Sequence, residues 1–245
     1  MDRQKRVRID RLLVENGYFE SRERAQRSIL AGHVLVQENV IDKPGTLVRS
    51  NSVVRIIADE KYVGRGGQKL EAALKQFDII VTDLVCLDVG ASTGGFTDCL
   101  LQHGARKVIA IDVGHNQLAW KIRSDPRVDV HEGVNARHLS PKLIGARVRL
   151  ATVDVSFISL TLVLPPILNC VEQGGAVIAL IKPQFELEPS QVGKGGIVRN
   201  EQARQSSVRK IQNFVIEQLR REWVGFIESP IAGAKGNREF LTCIR

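Results

Sequence analysis

Asp88-Val89-Gly90-Ala91-Ser92-Thr93-Gly94-Gly95-Phe96 is the stretch on which the fold turns. It follows the apolar run Leu84-Val85-Cys86-Leu87 and leads into Phe96-Thr97-Asp98-Cys99-Leu100-Leu101, an amphipathic segment. A strand, a glycine-rich turn and a helix in that order leave backbone N–H groups at a helix N-terminus, open to a ligand. The next apolar run, Val108-Ile109-Ala110-Ile111, ends in Asp112. An acidic residue about 20 positions past the glycines is placed to hold the paired hydroxyls of a ribose. A nucleoside cofactor is therefore expected on Asp88, Gly90, Ser92, Thr93, Gly94, Gly95, Phe96 and Asp112.

Outward from this loop, apolar strands alternate with amphipathic helices. Strands are predicted at 84–88, 107–112, 127–131, 149–154 and 175–181, with helices near 95–103, 116–122, 158–170 and 201–221. Such a repeat predicts an α/β domain, a Rossmann-like doubly wound sheet, mostly parallel and covered on both faces. Val224–Glu228 and Phe240–Ile244 then follow without a helix between them, as a hairpin at one edge.

Residues 1–60 read as a separate, small α+β module. Ile9, Leu12 and Leu13 form a helical stripe stopped by Gly17; Ser21 caps a second helix that Gly32 ends. Val34–Val36 and Ser52–Ile57 are strand candidates, with Asp42-Lys43-Pro44-Gly45 a turn between them. Residues 61–67 carry three glycines in four positions and read as an interdomain linker, leaving 68–245 as the large domain.

Composition limits the classes. At 245 residues with 43% hydrophobic content the chain has ample material for a packed core, which excludes wholesale disorder. The net charge of +8 favours a polyanionic partner, yet residues 1–60 carry only +2 of it, so the large domain must supply much of any surface facing such a partner. Cys86, Cys99, Cys170 and Cys243 lie apart within apolar runs and are expected as buried free thiols, with no metal site. No signal peptide and no membrane-length apolar run is read, and a cytoplasmic location is expected.

The loop also bears on which cofactor it holds. In the register of the dinucleotide fingerprint G-x-G-x-x-G the middle glycine is Ser92, which disfavours a pyrophosphate. S-adenosylmethionine carries no phosphate, and a looser loop serves it. Asn135, after the third strand, is expected beside the adenine, although an Asn in such a loop is as readily turn chemistry. Asp154 and Lys182 end the fourth and fifth strands and so point toward the crevice of Gly90. Lys69 opens the helix before the first strand, and Glu239 starts the final one. Asp154 is expected to touch the cofactor as well.

Lys69, Asp154, Lys182 and Glu239 around such a pocket resemble the tetrad of FtsJ-like ribose 2′-O-methyltransferases. Arg11-Leu12-Leu13-Val14, Ser21-Arg22-Glu23-Arg24-Ala25 and Ile29–Val36 resemble the RNA-binding module named after ribosomal protein S-four. Together with Gly64–Leu70, Asp154–Ser159, Lys182–Glu186, Val192–Gly196 and Ser229–Phe240, these segments resemble the TlyA family of rRNA 2′-O-methyltransferases, also called haemolysin-like. The resemblance spans nearly the whole chain. It implies an rRNA substrate in ribosomal subunits with cytidine as the target, and RNA contacts by Arg11, Arg22, Arg24, Arg27, His33 and Arg65. Lys194 lies in a loop that reads either as a phosphate-contacting lid or as an ordinary connection. The resemblance assigns Lys182 as the base or activator of the ribose hydroxyl, with Lys69, Asp154 and Glu239 positioning it. Lys69 is expected close to Lys182, where like-charge repulsion favours a neutral amine. The competing reading is a non-catalytic RNA-binding assembly factor with a vestigial pocket; a membrane-lytic role finds no supporting segment.

Overall fold

Apolar positions three and four apart nucleate the first helices, and glycines stop them. In the computed structural model, which describes residues 6–56, 61–233 and 236–245, the chain divides into two units, Met1–Glu60 and Lys61–Arg245. The first unit contains β1 (Arg6–Arg8), α1 (Ile9–Glu15), α2 (Arg22–Leu30), β2 (Val34–Val36), β3 (Asn39–Ile41), β4 (Leu47–Arg49) and β5 (Val54–Ile56). β2 is central in an antiparallel sheet ordered β3-β2-β5, and β1 pairs separately with β4. Ile9, Leu13, Ala25, Ile29 and Val34 are fully buried at its core. Gly17 and Gly32 stand at φ 74° and 75°. There the N–H groups of Tyr18 and His33 reach back to the carbonyls of Leu13 and Ser28, which satisfies the last helical turns. Ile57, expected to close the last strand of this module, lies outside the described residues, as does Lys235 of the segment before Glu239.

Asp10 is the polar centre of this unit. Its buried carboxylate accepts hydrogen bonds from Arg8 (3.0 Å, twice), Arg22 (2.9 Å) and Gln26 (2.8 Å). The Arg8 guanidinium above all holds the Asp10 carboxyl well below the usual carboxylate range.

The second unit contains α3 (Gly66–Gln76), β6 (Val85–Val89), α4 (Gly95–Gln102), β7 (Lys107–Asp112), α5 (Trp120–Arg123), β8 (Val128–Glu132), α6 (Pro141–Ile144), β9 (Val148–Val153), α7 (Leu160–Asn169), β10 (Val171–Ile181), α8 (Pro183–Glu186), α9 (Glu201–Asn213), β11 (Trp223–Glu228) and β12 (Phe240–Ile244). Its seven strands are ordered β11-β12-β10-β9-β6-β7-β8; the five from β10 to β8 are parallel, and β12 is antiparallel to both neighbours. Alternation along the strands feeds two cores. Leu87 and Val89 pack with α7 and α9 on one face, and Cys86 packs with α3 and α4 on the other. The expected doubly wound, mostly parallel sheet is present.

Three local departures have physical causes. β10 begins earlier than predicted because Gly174 (φ 73°) and Gly175 carry the strand through a register shift between Val171 and Ala176. A Cβ on Gly175 would lie 2.8 Å from the carbonyl oxygen of Arg149. The helix expected at 116–122 is confined to Trp120–Arg123, since Asn116 sits at φ 55°. The helix expected to run to 221 gives way after Asn213 to a π-turn, in which the N–H of Leu219 bonds the carbonyl of Phe214.

Lys61–Gly67 falls inside the second unit. Tyr62 is 2% exposed, the N–H of Val63 donates to Asp98 (2.9 Å), and Gly66 and Gly67 belong to α3. The glycines serve close approach here: a Cβ on Gly67 would lie 2.2 Å from the Tyr62 ring, and one on Gly95 3.2 Å from the carbonyl oxygen of Gly64.

Asp10 gives the first prediction. Asp10→Ala should lower stability at pH 7 by about 1–3 kcal/mol, through loss of the buried acceptor. A carboxyl held low in the fold stabilises above its unfolded value, so the gap between wild type and variant should be full above about pH 4 and shrink as the pH falls further. Denaturant melts across that range check it; a gap independent of pH would refute the electrostatic account.

Candidate active site

The sheet reverses its winding between β6 and β9, and that is where the cleft opens. The N–H of Asp154 donates to the carbonyl of Val89 (2.9 Å), bringing the two strand ends together. Gly90 (φ 84°) sits against that junction, and a Cβ there would lie 2.4 Å from the Asp154 carbonyl oxygen. The loop continues through Ser92 at φ 47° and Gly94 at φ 97° before α4 begins at Gly95. Such backbone strain in a non-glycine residue persists where surrounding contacts enforce it. Here the Asp112 carboxylate accepts from the N–H groups of Ser92 (2.8 Å) and Gly114 (2.7 Å), and the Ser92 hydroxyl meets Gln117 (3.4 Å).

Two lobes of one cleft share Gly90, Ser92, Asp154 and Ser156. The larger, about 390 Å³, is walled by Ile111, Val113, Val134, Val155 and Ile158, with Asp112 and Asn135 on its lining. The smaller, about 180 Å³, adds Thr93, Gly95, Phe96 and Lys182. Asp88 is not at this surface. It is fully buried beneath the loop and accepts from the hydroxyls of Thr97 (2.6 Å) and Thr152 (2.9 Å); burial pushes its carboxyl up to about 6. Asn135 lines the larger lobe while its side-chain oxygen caps the turn at Arg137 (3.0 Å).

The four ionisable residues form two ion pairs. Lys182 Nζ lies 2.6 Å from Asp154 and donates to the Ser156 hydroxyl at 2.8 Å. Lys69 Nζ lies 2.6 Å from Glu239, and both are buried. The antiparallel register pairs Ile181 with Phe240, so Lys182 and Glu239 occupy neighbouring strand ends. Each lysine is thus matched to a carboxylate, and the Lys69–Glu239 pair stands at the strand end next to Lys182. Lys69 is the fourth residue of α3, in its first turn.

Of the arginines singled out for RNA, Arg22 is held by Asp10, Arg24 by Glu20 (2.6 Å) and Arg11 by Glu15 (3.4 Å). Arg27 is exposed and His33 half-buried. In the second unit Arg65 donates to the carbonyl of Ala232 (2.8 Å). Lys194 is exposed on a turn closed at its base by Gly193 and Ile197 and tied down by the Asn237 side chain, which bonds Val198 N–H and the Gly196 carbonyl. Ser156, Glu186, Asn237 and Arg8 are not assigned roles by sequence reading; Ser156, two residues past Asp154 at a strand end, had a positional signal, Glu186 and Asn237 stand within segments that carry the family resemblance, and Arg8 had none. All four cysteines are buried thiols, and burial pushes Cys86 and Cys99 up to about 12. Among the described residues no group of His, Cys, Asp and Glu forms a metal site, and no helix is long and apolar enough to cross a membrane.

A family model described as an FtsJ-like methyltransferase matches residues 62–245. The chain belongs to the FtsJ-like methyltransferase family. An S4 domain model matches residues 7–54, in agreement with the module expected at the N-terminal side. The methyltransferase is 43% identical over 243 residues to the 16S/23S rRNA (cytidine-2′-O)-methyltransferase TlyA of Mycobacterium tuberculosis, covering 98% of this chain and 90% of that protein. It is also 43% identical over 236 residues to Hemolysin A of Brachyspira hyodysenteriae, covering 96% and 98%. A solved structure from Streptococcus thermophilus, provisionally named a hemolysin, superposes with a TM-score of 0.74 at 41% identity, covering 98% of this chain and 88% of that one.

The strand junction yields the second prediction. Gly90→Ala combines a positive φ with a Cβ driven against backbone, and should cost at least about 2 kcal/mol of stability in denaturant unfolding. Unchanged unfolding would show that the β6 and β9 ends do not meet as described.

Proposed function

We propose that this methyltransferase moves a methyl group from S-adenosylmethionine to the 2′-hydroxyl of a ribose in ribosomal RNA. The observation that carries the reading is Lys182, held by Asp154 and Ser156 on the wall of the cleft that the glycine loop lines. The larger lobe has the size and apolar walls of a nucleoside pocket, with Asp112 at its rim for ribose hydroxyls. Gly90, Ser92, Thr93, Gly94, Gly95 and Phe96 would form the base of the cofactor site, and Val134 and Asn135 would flank the adenine. When bound, the cofactor supplies an electrophilic methyl group on a sulfonium.

Lys182 takes the hydroxyl proton as the oxygen is methylated, passing one of its own to the Asp154 carboxylate it touches, and Asp154 and Ser156 fix the direction of its Nζ. Lys69 and Glu239 hold the neighbouring strand end rigid. Much of the rate would come from orientation, which is worth up to about 7–11 kcal/mol when reacting atoms are aligned. The rRNA substrate and the cytidine target are supported by the name of the M. tuberculosis relative. Ribosomal subunits, met in the cytoplasm, are the proposed partner. In the first unit Arg22, Arg24, Arg27 and His33 would contact phosphates and set position rather than sequence. Arg8, paired with Arg22 on Asp10, joins them.

Radiolabelled methyl transfer to purified ribosomal subunits tests the reading. Lys182→Ala should lower kcat at least about 100-fold while cofactor affinity by calorimetry stays within a few-fold. A vigorous variant would remove Lys182 from the mechanism, and absence of cofactor binding even with subunits present would favour a non-catalytic assembly factor. Arg27→Ala should weaken subunit binding and reduce the slope of log affinity against log salt by about 1. An unchanged slope would take Arg27 out of the interface.

A further inference from the structure

Two connections meet above the sheet at the cleft. One runs from the end of β9 through residues 154–159 into α7, and the other from the end of β10 through Lys182 into α8. At one end they are joined by Lys182, whose Nζ meets Asp154 and Ser156. At the other end Glu186 joins them again: its carboxylate accepts from the N–H of Leu160 (2.7 Å) and from the hydroxyl of Ser159 (2.5 Å). Between the two fastenings Phe157 stands at φ 63°, with its ring 5.1 Å from that of Phe185. A phenylalanine in the left-handed region costs of order 1–3 kcal/mol and persists only where both flanks are held.

Glu186 is 4% exposed, so burying its charge is costly unless every oxygen is engaged. Its oxygens are engaged by the start of α7, where the helix dipole also favours an anion. Lys210 on α9 donates to the Glu186 carbonyl (2.6 Å) and lies 3.5 Å from the carboxylate. The side chain reaches neither lobe of the cleft. It acts on the cleft only through the connection it holds.

We propose that Glu186 is a positioning residue for methyl transfer, clamping the 154–159 connection so that Asp154 and Ser156 meet Lys182. This rests on the reading of Lys182 as the group that takes the ribose proton.

A double-mutant cycle separates positioning from mere stability. With cofactor and ribosomal subunits both saturating, Glu186→Ala should lower kcat about 10- to 100-fold, the effect expected of a displacement near 1 Å. Glu186→Gln keeps an acceptor for Leu160 and offers a donor to Ser159, and should stay within about threefold of wild type. In the Lys182→Ala background Glu186→Ala should change the remaining kcat less than about twofold, since the group it positions is gone. The inference is overturned if Glu186→Ala alone leaves kcat within about twofold of wild type. It is also overturned if the full loss recurs in the Lys182→Ala background, which would mark a structural role. Should Glu186→Ala fail to fold, Glu186→Asp, which keeps the charge but falls one methylene short, takes its place in the cycle, and the same two results overturn the inference. Full activity of Lys182→Ala would instead refute the reading beneath it, so the two failures are distinct.

Discussion

The hydrogen bond from the Asp154 N–H to the Val89 carbonyl, with Gly90 pressed against the Asp154 carbonyl, is the contact on which the site depends. It joins the ends of two parallel strands where the sheet changes winding direction, the position at which ligands bind in folds of this kind. On one side it sets the glycine loop; on the other it sets Asp154 and, through it, Lys182. A side chain at residue 90 would wedge the strand ends apart. The cleft is therefore a by-product of strand pairing, and Asp154 and Lys182, to which the proposed mechanism assigns the chemistry, are the first residues past β9 and β10.

Past the strands the connections have few ladder bonds of their own, and polar side chains from neighbouring elements, the half-buried Asp112 and the buried Asp98, Glu186 and Asn237, hold them. Asp112 holds the Ser92 and Gly114 amides, Asp98 the Val63 amide, Glu186 the Leu160 amide, and Asn237 the Val198 amide. Each is a side-chain oxygen that meets a backbone N–H across a long sequence gap or a tight turn. Unpaired, each of the buried ones would cost the fold about 1–3 kcal/mol by desolvation. Paired, they fix loops whose own sequences are rich in glycine and turn residues.

What could be read in the residues follows from which interactions are local. β6, β7, β9 and the second half of β10 carry apolar runs, and the longer helices carry apolar stripes, so these announce themselves, while β8 (Val128–Glu132) alternates apolar and polar residues. Asp154 and Lys182 were legible because strand ends are where such sheets do chemistry. The partition of the tetrad into Lys182–Asp154 and Lys69–Glu239 was not, since it depends on the pairing of β9 with β10 and on where α3 lies against the start of β12. Asp88 looks like its neighbours in the loop, yet its strand parity turns it inward onto Thr97 and Thr152. Glycines 64, 66 and 67 read as a break because a glycine's need for close approach depends on a partner elsewhere, here Tyr62 and the loop at Gly95. Short elements such as Arg6–Arg8 and Pro183–Glu186 hold too few residues to show a period.

The placement of β12 has a consequence for how the molecule forms. It lies between β10 and β11 although it follows both in sequence, and β11 joins the sheet only through it, so β10 stays an edge strand until β12 is added. The ion pair it delivers, Lys69 with Glu239, spans 170 positions of chain. Contacts of such separation form late, since loop-closure entropy is lost before they return anything. Until then Lys69 has no carboxylate and the Lys182 strand end no neighbour on that side. A folding intermediate with the parallel strands in place would hold the glycine loop and Asp154 but an incomplete acceptor site. On the proposed mechanism, competence to react would come only once β12 is added, so the Lys182 side of the cleft reports completion of the fold.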